Sequence, residues 1–140
     1  MKTRTGLGLL LLIAVLAVCG CQKAMKDVRE DLLGTIKQYN ELVRLKDFDK
    51  AKQFVAESAR GEFDARAPMA RAATISEYRI IKREFVTTSD QEIVQVEIDY
   101  AIPPSTEKKT LINEQKWSFL YIRDEGGKRW RLVTPLPEFK

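Results

Sequence analysis

The sequence predicts a single α+β domain, with N-terminal helices laid on one face of an antiparallel sheet of about four strands. Apolar residues recur at steps of three and four in the first half of the chain, which is the period of helices. From Ile75 onward they recur at steps of two, among β-branched and aromatic residues, which is the period of strands. Helices followed by consecutive strands are typical of an α+β fold.

Two helices are predicted before the strands. Between residues 25 and 45 the helical spacing is set by Met25, Val28, Leu32, Ile36, Tyr39 and Leu42 or Val43. Gly34 weakens that helix by about 1 kcal/mol relative to alanine, which does not end the pattern. Asp47 is expected to cap a second helix that carries Phe48 and Ala59 and ends near Gly61. The alanine-rich segment 60–74 is expected to form a third short helix or an irregular connection.

Four strands are expected in the second half of the chain. The clearest strand has one face made of Val94, Val96, Ile98 and Tyr100, and an opposite face made of Gln95, Glu97 and Asp99. In residues 76–86 the alternation changes phase, which predicts a bulge near Ile80-Ile81. The Pro103-Pro104 pair ends the second strand, because proline cannot donate to a ladder. Gly126-Gly127 favours a tight turn between the last two strands.

The N-terminus has the three-part layout of a secretory signal peptide. Lys2 and Arg4 come first, the apolar run Leu7–Val18 follows, and small residues come next. An apolar run of about a dozen residues is short for a membrane span, which needs about 20. A cleaved segment is therefore favoured over a spanning anchor.

The segment Val18–Cys21 resembles a bacterial lipobox, the motif at which lipoproteins are acylated and cleaved. Cys21 is the predicted site of lipid attachment, because Gly20 before it suits a narrow peptidase pocket better than a branched residue. Cys19 follows Val18 and is therefore the poorer candidate. A disulfide between the two cysteines and a short metal site are the alternatives, and such a disulfide would be strained.

Cleavage before Cys21 divides the chain into a signal peptide at 1–20, a short lipidated tether at 21–25 and a single domain at 26–140. Palmitate-type chains on Cys21 would attach the protein stably to a membrane, since one acyl chain holds only marginally and two or three suffice. In lipoproteins of this kind, an Asp after the cysteine favours the inner membrane. Gln22 occupies that position, which favours the outer membrane, facing the periplasm.

The composition argues against nucleic acid as a partner and against several kinds of catalysis. The formal charge of +4 falls to +2 once Lys2 and Arg4 leave, and both signs are interspersed along nearly every element. The sequence has no histidine, so the commonest general base and the usual serine or cysteine triad are excluded. No cofactor and no metal site are predicted.

Two or three N-terminal helices, the strand VQVEIDYAI and the closing segment WSFLYIRDEGGKRWRLV resemble the NTF2-like, cystatin-like superfamily over roughly residues 26–136. The resemblance implies a strongly curved sheet that wraps a helix to make a cone, whose interior is either a ligand pocket or core. It implies no particular activity, because the superfamily hosts enzymes, ligand binders and interaction modules alike.

Aromatic residues supply the candidate pocket in such a cone. The expected lining is Tyr78, Tyr100, Trp117, Phe119, Tyr121 and Trp130. The same aromatic stripe also fits a packed core. Leu120 and Ile122 lie on the other face of the long strand, and apolar residues on both faces indicate a sheet-to-sheet homodimer.

The sequence therefore predicts a non-catalytic, membrane-anchored envelope lipoprotein that binds a small ligand or an envelope protein. The alternative, implied by the resemblance, is a small isomerase- or dehydratase-type enzyme that uses a pocket carboxylate with a tyrosine. Asp99 or Glu97 would then point into the cone, although the parity of Asp99 predicts a solvent-facing side chain. The last hairpin carries four cations, Arg123, Lys128, Arg129 and Arg131. They are expected either to meet anionic headgroups or wall polymers, or to belong to a solvated turn.

Overall fold

The second half of the chain forms four antiparallel strands. They are β1 (Thr74–Val86), β2 (Gln91–Ala101), β3 (Lys109–Ile122) and β4 (Gly127–Leu132), and they lie side by side in the order β1-β2-β3-β4. This computed structural model describes residues 31–140. In that range three helices precede a curved, open sheet, so the predicted α+β architecture is confirmed.

The first helix, α1, includes residues 31–44 of the described chain. Ile36, Tyr39, Asn40 and Val43 are buried, at the steps of three and four that place side chains on one face of a helix. The predicted helical period is therefore confirmed from residue 31 onward. The part of the prediction that covers residues 25–30 lies outside the described residues, as do the signal peptide and the tether.

The prediction of one helix from Asp47 to Gly61 is wrong. Asp47 does cap a helix, but that helix, α2 (Phe48–Ala51), is short and continues as a single 3-10 turn, Lys52–Phe54. Val55 is extended and forms a parallel bridge with Leu132. The sheet therefore draws the chain out of the helical conformation at this point.

The following helix, α3 (Glu57–Ala72), runs without a break through Gly61, where a helix end was predicted. It also continues through Pro68, in the segment 60–74 for which a third short helix or an irregular connection was expected. Its buried face is made of Ala59, Phe63, Ala67 and Ala70. Pro68 lies on the exposed side. Water can therefore bond to the carbonyl of the preceding turn, whose amide partner the proline ring removes.

The strand pairing bears out the predicted bulge. The register of β1 against β2 shifts between Ile80 and Lys82, where the phase of the sequence changes. A second shift, between Ile75 and Glu77, was not predicted. β2 ends at Ala101, just before the two prolines. The turn between β3 and β4 is longer than predicted, since it is a 3-10 turn, Arg123–Glu125, followed by Gly126, and Gly127 already belongs to β4. Gly126 has a φ of 64°, a left-handed conformation that favours glycine.

The two sides of the sheet differ in what covers them. The helix-facing side carries Val94, Val96 and Trp117, all of them fully buried. Contacts between α1 and Trp117 identify this side, because the Tyr39 ring lies edge-on to the Trp117 indole at a centroid distance of 5.6 Å. The opposite side carries the alternate residues of each strand.

A C-terminal tail, residues 133–140, closes the core, and its packing was not predicted from the sequence. Leu136 and Phe139 are buried, and the Phe139 ring packs edge-on against Tyr100 at 5.0 Å. The Tyr100 hydroxyl donates to the Lys140 carbonyl at 2.9 Å. On the α3 side, the Arg66 guanidinium donates to the Leu136 carbonyl at 2.8 Å.

Candidate functional site

The six predicted lining residues do not all lie together: Phe119 and Trp130 are in contact, with ring centroids 5.1 Å apart, but Tyr100 lies toward the other end of β3. Tyr100 pairs with Lys109 at the start of β3, and Tyr121 pairs with Lys128 near its end. Twelve steps along a strand at about 3.3 Å each separate these two positions by roughly 40 Å. The pocket assignment stays a prediction, and Cys21 lies outside the described residues.

A buried polar cluster lies where α1 crosses the sheet. The Asn40 and Gln115 side-chain amides bond to each other, with Gln115 Nε2 donating to Asn40 Oδ1 at 2.8 Å. Gln115 Oε1 also accepts from Trp117 Nε1 at 3.2 Å, and Asn40 Nδ2 donates to the Ile36 carbonyl at 2.8 Å. These bonds satisfy polar groups that would otherwise be costly to bury. The cluster therefore fixes the position of α1 on the sheet.

The Tyr39 hydroxyl is buried beside this cluster and has no hydrogen-bond partner among the described residues. Burial raises the pKa of the Tyr39 phenol, because the charged phenolate is disfavoured away from water. The group therefore stays protonated and cannot serve as a base. Tyr78 differs, since its hydroxyl donates to the Lys37 carbonyl at 3.1 Å and lies nearer to solvent.

Glu92 is an acidic residue on the helix-facing side that the sequence reasoning missed. Its side chain is buried and ion-paired with the Arg83 guanidinium. The alternation of β2 does indicate this position, because Glu92 lies an even number of residues from Val94 and Val96 and therefore shares their face of the strand. Arg83 comes from the neighbouring strand, where it pairs with Val94 in the register.

Asp99 lies on the opposite side of the sheet, as its parity predicts, but it is not solvent-facing. Its side chain is only 2% exposed. Lys108 Nζ lies 2.7 Å from Asp99 Oδ2, Thr110 Oγ1 donates to Oδ1 at 2.7 Å, and the Arg79 guanidinium is 3.1 Å from Oδ2. The expectation of a solvated carboxylate is therefore wrong, because side chains from the flanking strand and loop close over it.

The contacts around Asp99 decide its protonation state. The bonds from Lys108, Thr110 and Arg79 lower the pKa of the Asp99 carboxyl to about 2. Glu97 shares Arg79, whose guanidinium contacts it at 2.5 Å. The pKa of the Arg79 guanidinium is raised by its bonds to Glu97 and Asp99. Both carboxylates are thus held in an ion-pair network on the side of the sheet away from α1.

The hairpin between β3 and β4 carries the predicted cations, and an acid pairs with half of them. Glu125 is ion-paired with Arg131 and lies 3.7 Å from Arg129. Lys128 Nζ lies over the Phe119 ring at 5.9 Å. Neither Lys128 nor Arg123 forms an ion pair with another residue in the range 31–140.

Two grooves are defined within the described part of the chain near exposed apolar side chains. One, of about 590 Å³, lies beside the β3–β4 hairpin and is lined by Ala56, Glu57, Ser58, Leu120, Tyr121 and Ile122. The other, of about 410 Å³, lies between α3 and the C-terminal tail and is lined by residues that include Arg66, Met69 and Phe139. Both cations of the second groove form ion pairs, Arg66 with Glu62 and Lys140 with Glu138.

Residues 31–140 contain no group of three or more carboxylate, cysteine or histidine side chains placed to hold a metal ion. The same range contains no helix that is long and apolar enough to cross a membrane. Comparison with known protein families, with curated proteins and with solved structures finds no match to this chain.

Proposed function

We propose that this protein is a lipid-anchored module of the bacterial cell envelope that works by binding a protein or a small ligand rather than by catalysis. The anchor is a diacylglyceryl group on Cys21, added after the signal peptide 1–20 is recognised. The order of Lys2 and Arg4, the apolar run and the Gly20-Cys21 pair supports it. With Gln22 after the cysteine, the proposed address is the outer membrane, facing the periplasm.

The position and pKa of Asp99 carry the preference for binding over catalysis. A pocket carboxylate that abstracts protons works best with a pKa near the operating pH. The pKa of Asp99 is about 2, and three donors already occupy its oxygens. Asp99 and Glu97 also lie on the side of the sheet away from α1, whereas the enzyme alternative needs one of them inside the cone.

Glu92 is an acid on the helix-facing side of the sheet, and its environment also favours a structural role. The carboxylate is buried and held by Arg83. Breaking such a pair to release a free base would leave an uncompensated buried charge, which typically costs about 3–5 kcal/mol. The helix-facing side of the sheet is therefore better suited to core packing than to acid–base chemistry.

We also propose membership of the NTF2-like, cystatin-like superfamily for the domain. Helices that precede a curved, open antiparallel sheet support it. A fold of this kind leaves the activity open, because functions reside in sites and not in the architecture.

Matched cysteine variants test the anchor. Cells that express the full chain are labelled with palmitate and fractionated, in parallel with Cys21→Ser and Cys19→Ser. The parent and Cys19→Ser are expected to incorporate label and to sediment with membranes, whereas Cys21→Ser incorporates none. Equal labelling of the two variants would contradict the assignment. For the binding role, the mature parent is purified in mild detergent and bound molecules are identified by native mass spectrometry.

A further inference from the structure

The end of the β3–β4 hairpin exposes apolar surface on both of its faces, because Leu120 and Tyr121 are consecutive residues of β3. Tyr121 is 67% exposed and Leu120 is 37% exposed, and both line the groove of about 590 Å³. A tyrosine has an apolar ring and a polar hydroxyl, so an exposed one suits a boundary between an apolar phase and water.

The charged residues near the end of this hairpin are four cations and three acids. Residues 121–131 contain the cations Arg123, Lys128, Arg129 and Arg131 and the acids Asp124 and Glu125. Glu57, across the groove, is a third acid. Because Glu125 is shared by two arginines, Lys128 and Arg123 are left without a carboxylate partner in the described chain. The Lys128 ammonium lies over the Phe119 ring, and its long, flexible stem allows it to turn from that ring toward an anionic surface.

We propose that this hairpin tip, residues 120–129, is a second contact with the membrane, which docks on the headgroups of anionic lipids. The tyrosine ring lies at the headgroup level, and Lys128 and Arg123 face the lipid phosphates. Anionic headgroups attract basic side chains close to the bilayer surface. The contact orients the folded domain on the bilayer that anchors it.

This inference rests on the proposed lipid anchor, which makes a weak surface contact effective. About ten residues separate Cys21 from Asp31, and a fully extended chain of that length reaches at most about 35 Å. A tethered domain is held near the bilayer at a high effective concentration. A contact that would be negligible in solution is then populated.

An environment-sensitive fluorophore at the hairpin tip tests the proposal. The probe, a nitrobenzoxadiazole, is attached to Asp124→Cys, which keeps Tyr121 and Lys128 in place. Met69→Cys, in the groove beside the C-terminal tail, carries the same probe as the control, since Met69 is 55% exposed. The mature, acylated chain is reconstituted into phosphatidylcholine vesicles with or without about one-third phosphatidylglycerol.

We expect the emission of the probe at position 124 to shift to the blue and to increase at least twofold only when phosphatidylglycerol is present. Roughly 0.5 M NaCl, at which the screening length is about 4 Å, reverses the shift. Lys128→Glu and Tyr121→Ser abolish it. Lys37→Glu, an equal charge change on the exposed side of α1, leaves it intact. The probe at position 69 does not respond.

Identical emission in the two kinds of vesicle would overturn the proposal, as would an equal shift at positions 124 and 69. A shift that depends on protein concentration in lipid-free detergent would assign the tip to contact between copies, and a shift only after adding periplasmic extract would assign it to a protein partner. Intact mass reports acylation separately. A chain without acyl groups contradicts the anchor, whereas an acylated chain with a silent probe contradicts only the tip contact.

Discussion

Lys108 Nζ lies 2.7 Å from the Oδ2 atom of Asp99, and this contact links the loop between β2 and β3 to the C-terminal end of β2. Asp99 is buried, while the Lys108 side chain is 66% exposed. The lysine thus covers a carboxylate that would otherwise face solvent. The consequence is a carboxyl group of low pKa that stays ionised in the folded chain.

The first prediction concerns the pH dependence of stability. The pKa of Asp99 is about 2 in the folded state and near its ordinary value of about 4 in the unfolded state. Between these values the unfolded chain binds more protons, so Asp99 stabilises the fold above about pH 4 and loses that contribution as the pH falls toward 2. Asp99→Asn should have a lower unfolding free energy than the parent at neutral pH. Its unfolding free energy should also fall less than that of the parent as the pH is lowered from about 4 to 2, as measured by urea titration at several pH values.

The exposed carboxylate Asp64, which is paired with Lys52, provides the control. The unfolding free energy of Asp64→Asn should fall as steeply as that of the parent over this pH range. If that of Asp99→Asn falls as steeply as well, the low pKa assigned to Asp99 is wrong.

The second prediction uses two glycines with opposite requirements. Gly61 lies inside α3, and a Cβ atom added there would meet nothing within 4 Å. Gly61→Ala should therefore raise the unfolding free energy by about 0.5–1 kcal/mol. Gly126 also has open space around it, but its φ is 64°. Gly126→Ala should lower stability by about 1 kcal/mol, because a Cβ atom disfavours that conformation. A thermal melt of each variant distinguishes the two, and a destabilised Gly61→Ala would mean that α3 is not helical there.

The third prediction concerns the amide pair that positions α1. Asn40→Ala and Gln115→Ala each leave a buried partner unsatisfied and should each cost about 1–3 kcal/mol in addition to the lost packing. Because the two amides bond to each other, the double variant should cost less than the two single costs added together. Chemical denaturation of the four proteins gives the coupling free energy. Strict additivity would show that the pair does not form.

The fourth prediction compares two buried tyrosines. Tyr39→Phe removes a hydroxyl that has no partner in the described range, so stability should stay level or rise. Tyr100→Phe removes a hydroxyl that bonds to Lys140, and it should lose about 0.5–1.5 kcal/mol. Melting temperatures under one buffer condition suffice. A Tyr39→Phe variant that loses more stability than Tyr100→Phe would indicate a buried partner for the Tyr39 hydroxyl.

Local patterns in the sequence predict much of this fold. The alternation around Val94 and Val96 predicts the buried face of β2, and the change of phase at Ile80-Ile81 predicts the bulge in β1. Gly126 marks the turn by its conformational freedom. Each of these features depends on residues that are close together in sequence, so a short window is enough to recognise it.

Features that depend on distant partners were not predicted. Val55 leaves the helical conformation because it pairs with Leu132, which lies far away in sequence. Asp99 is buried because Lys108 and Arg79 close over it from a loop and from another strand. Phe139 is buried because Tyr100 packs against it. Periodicity carries no information about such pairings, which form only when the whole chain folds.

The mass of the N-terminal tryptic peptide tests the central claim of a lipid-anchored domain most directly. Trypsin cuts after Lys23, so a processed chain should release the short peptide Cys21–Lys23 with a diacylglyceryl group on the cysteine sulfur. An unmodified Thr5–Lys23 peptide, or a mature chain that begins anywhere other than Cys21, would contradict it.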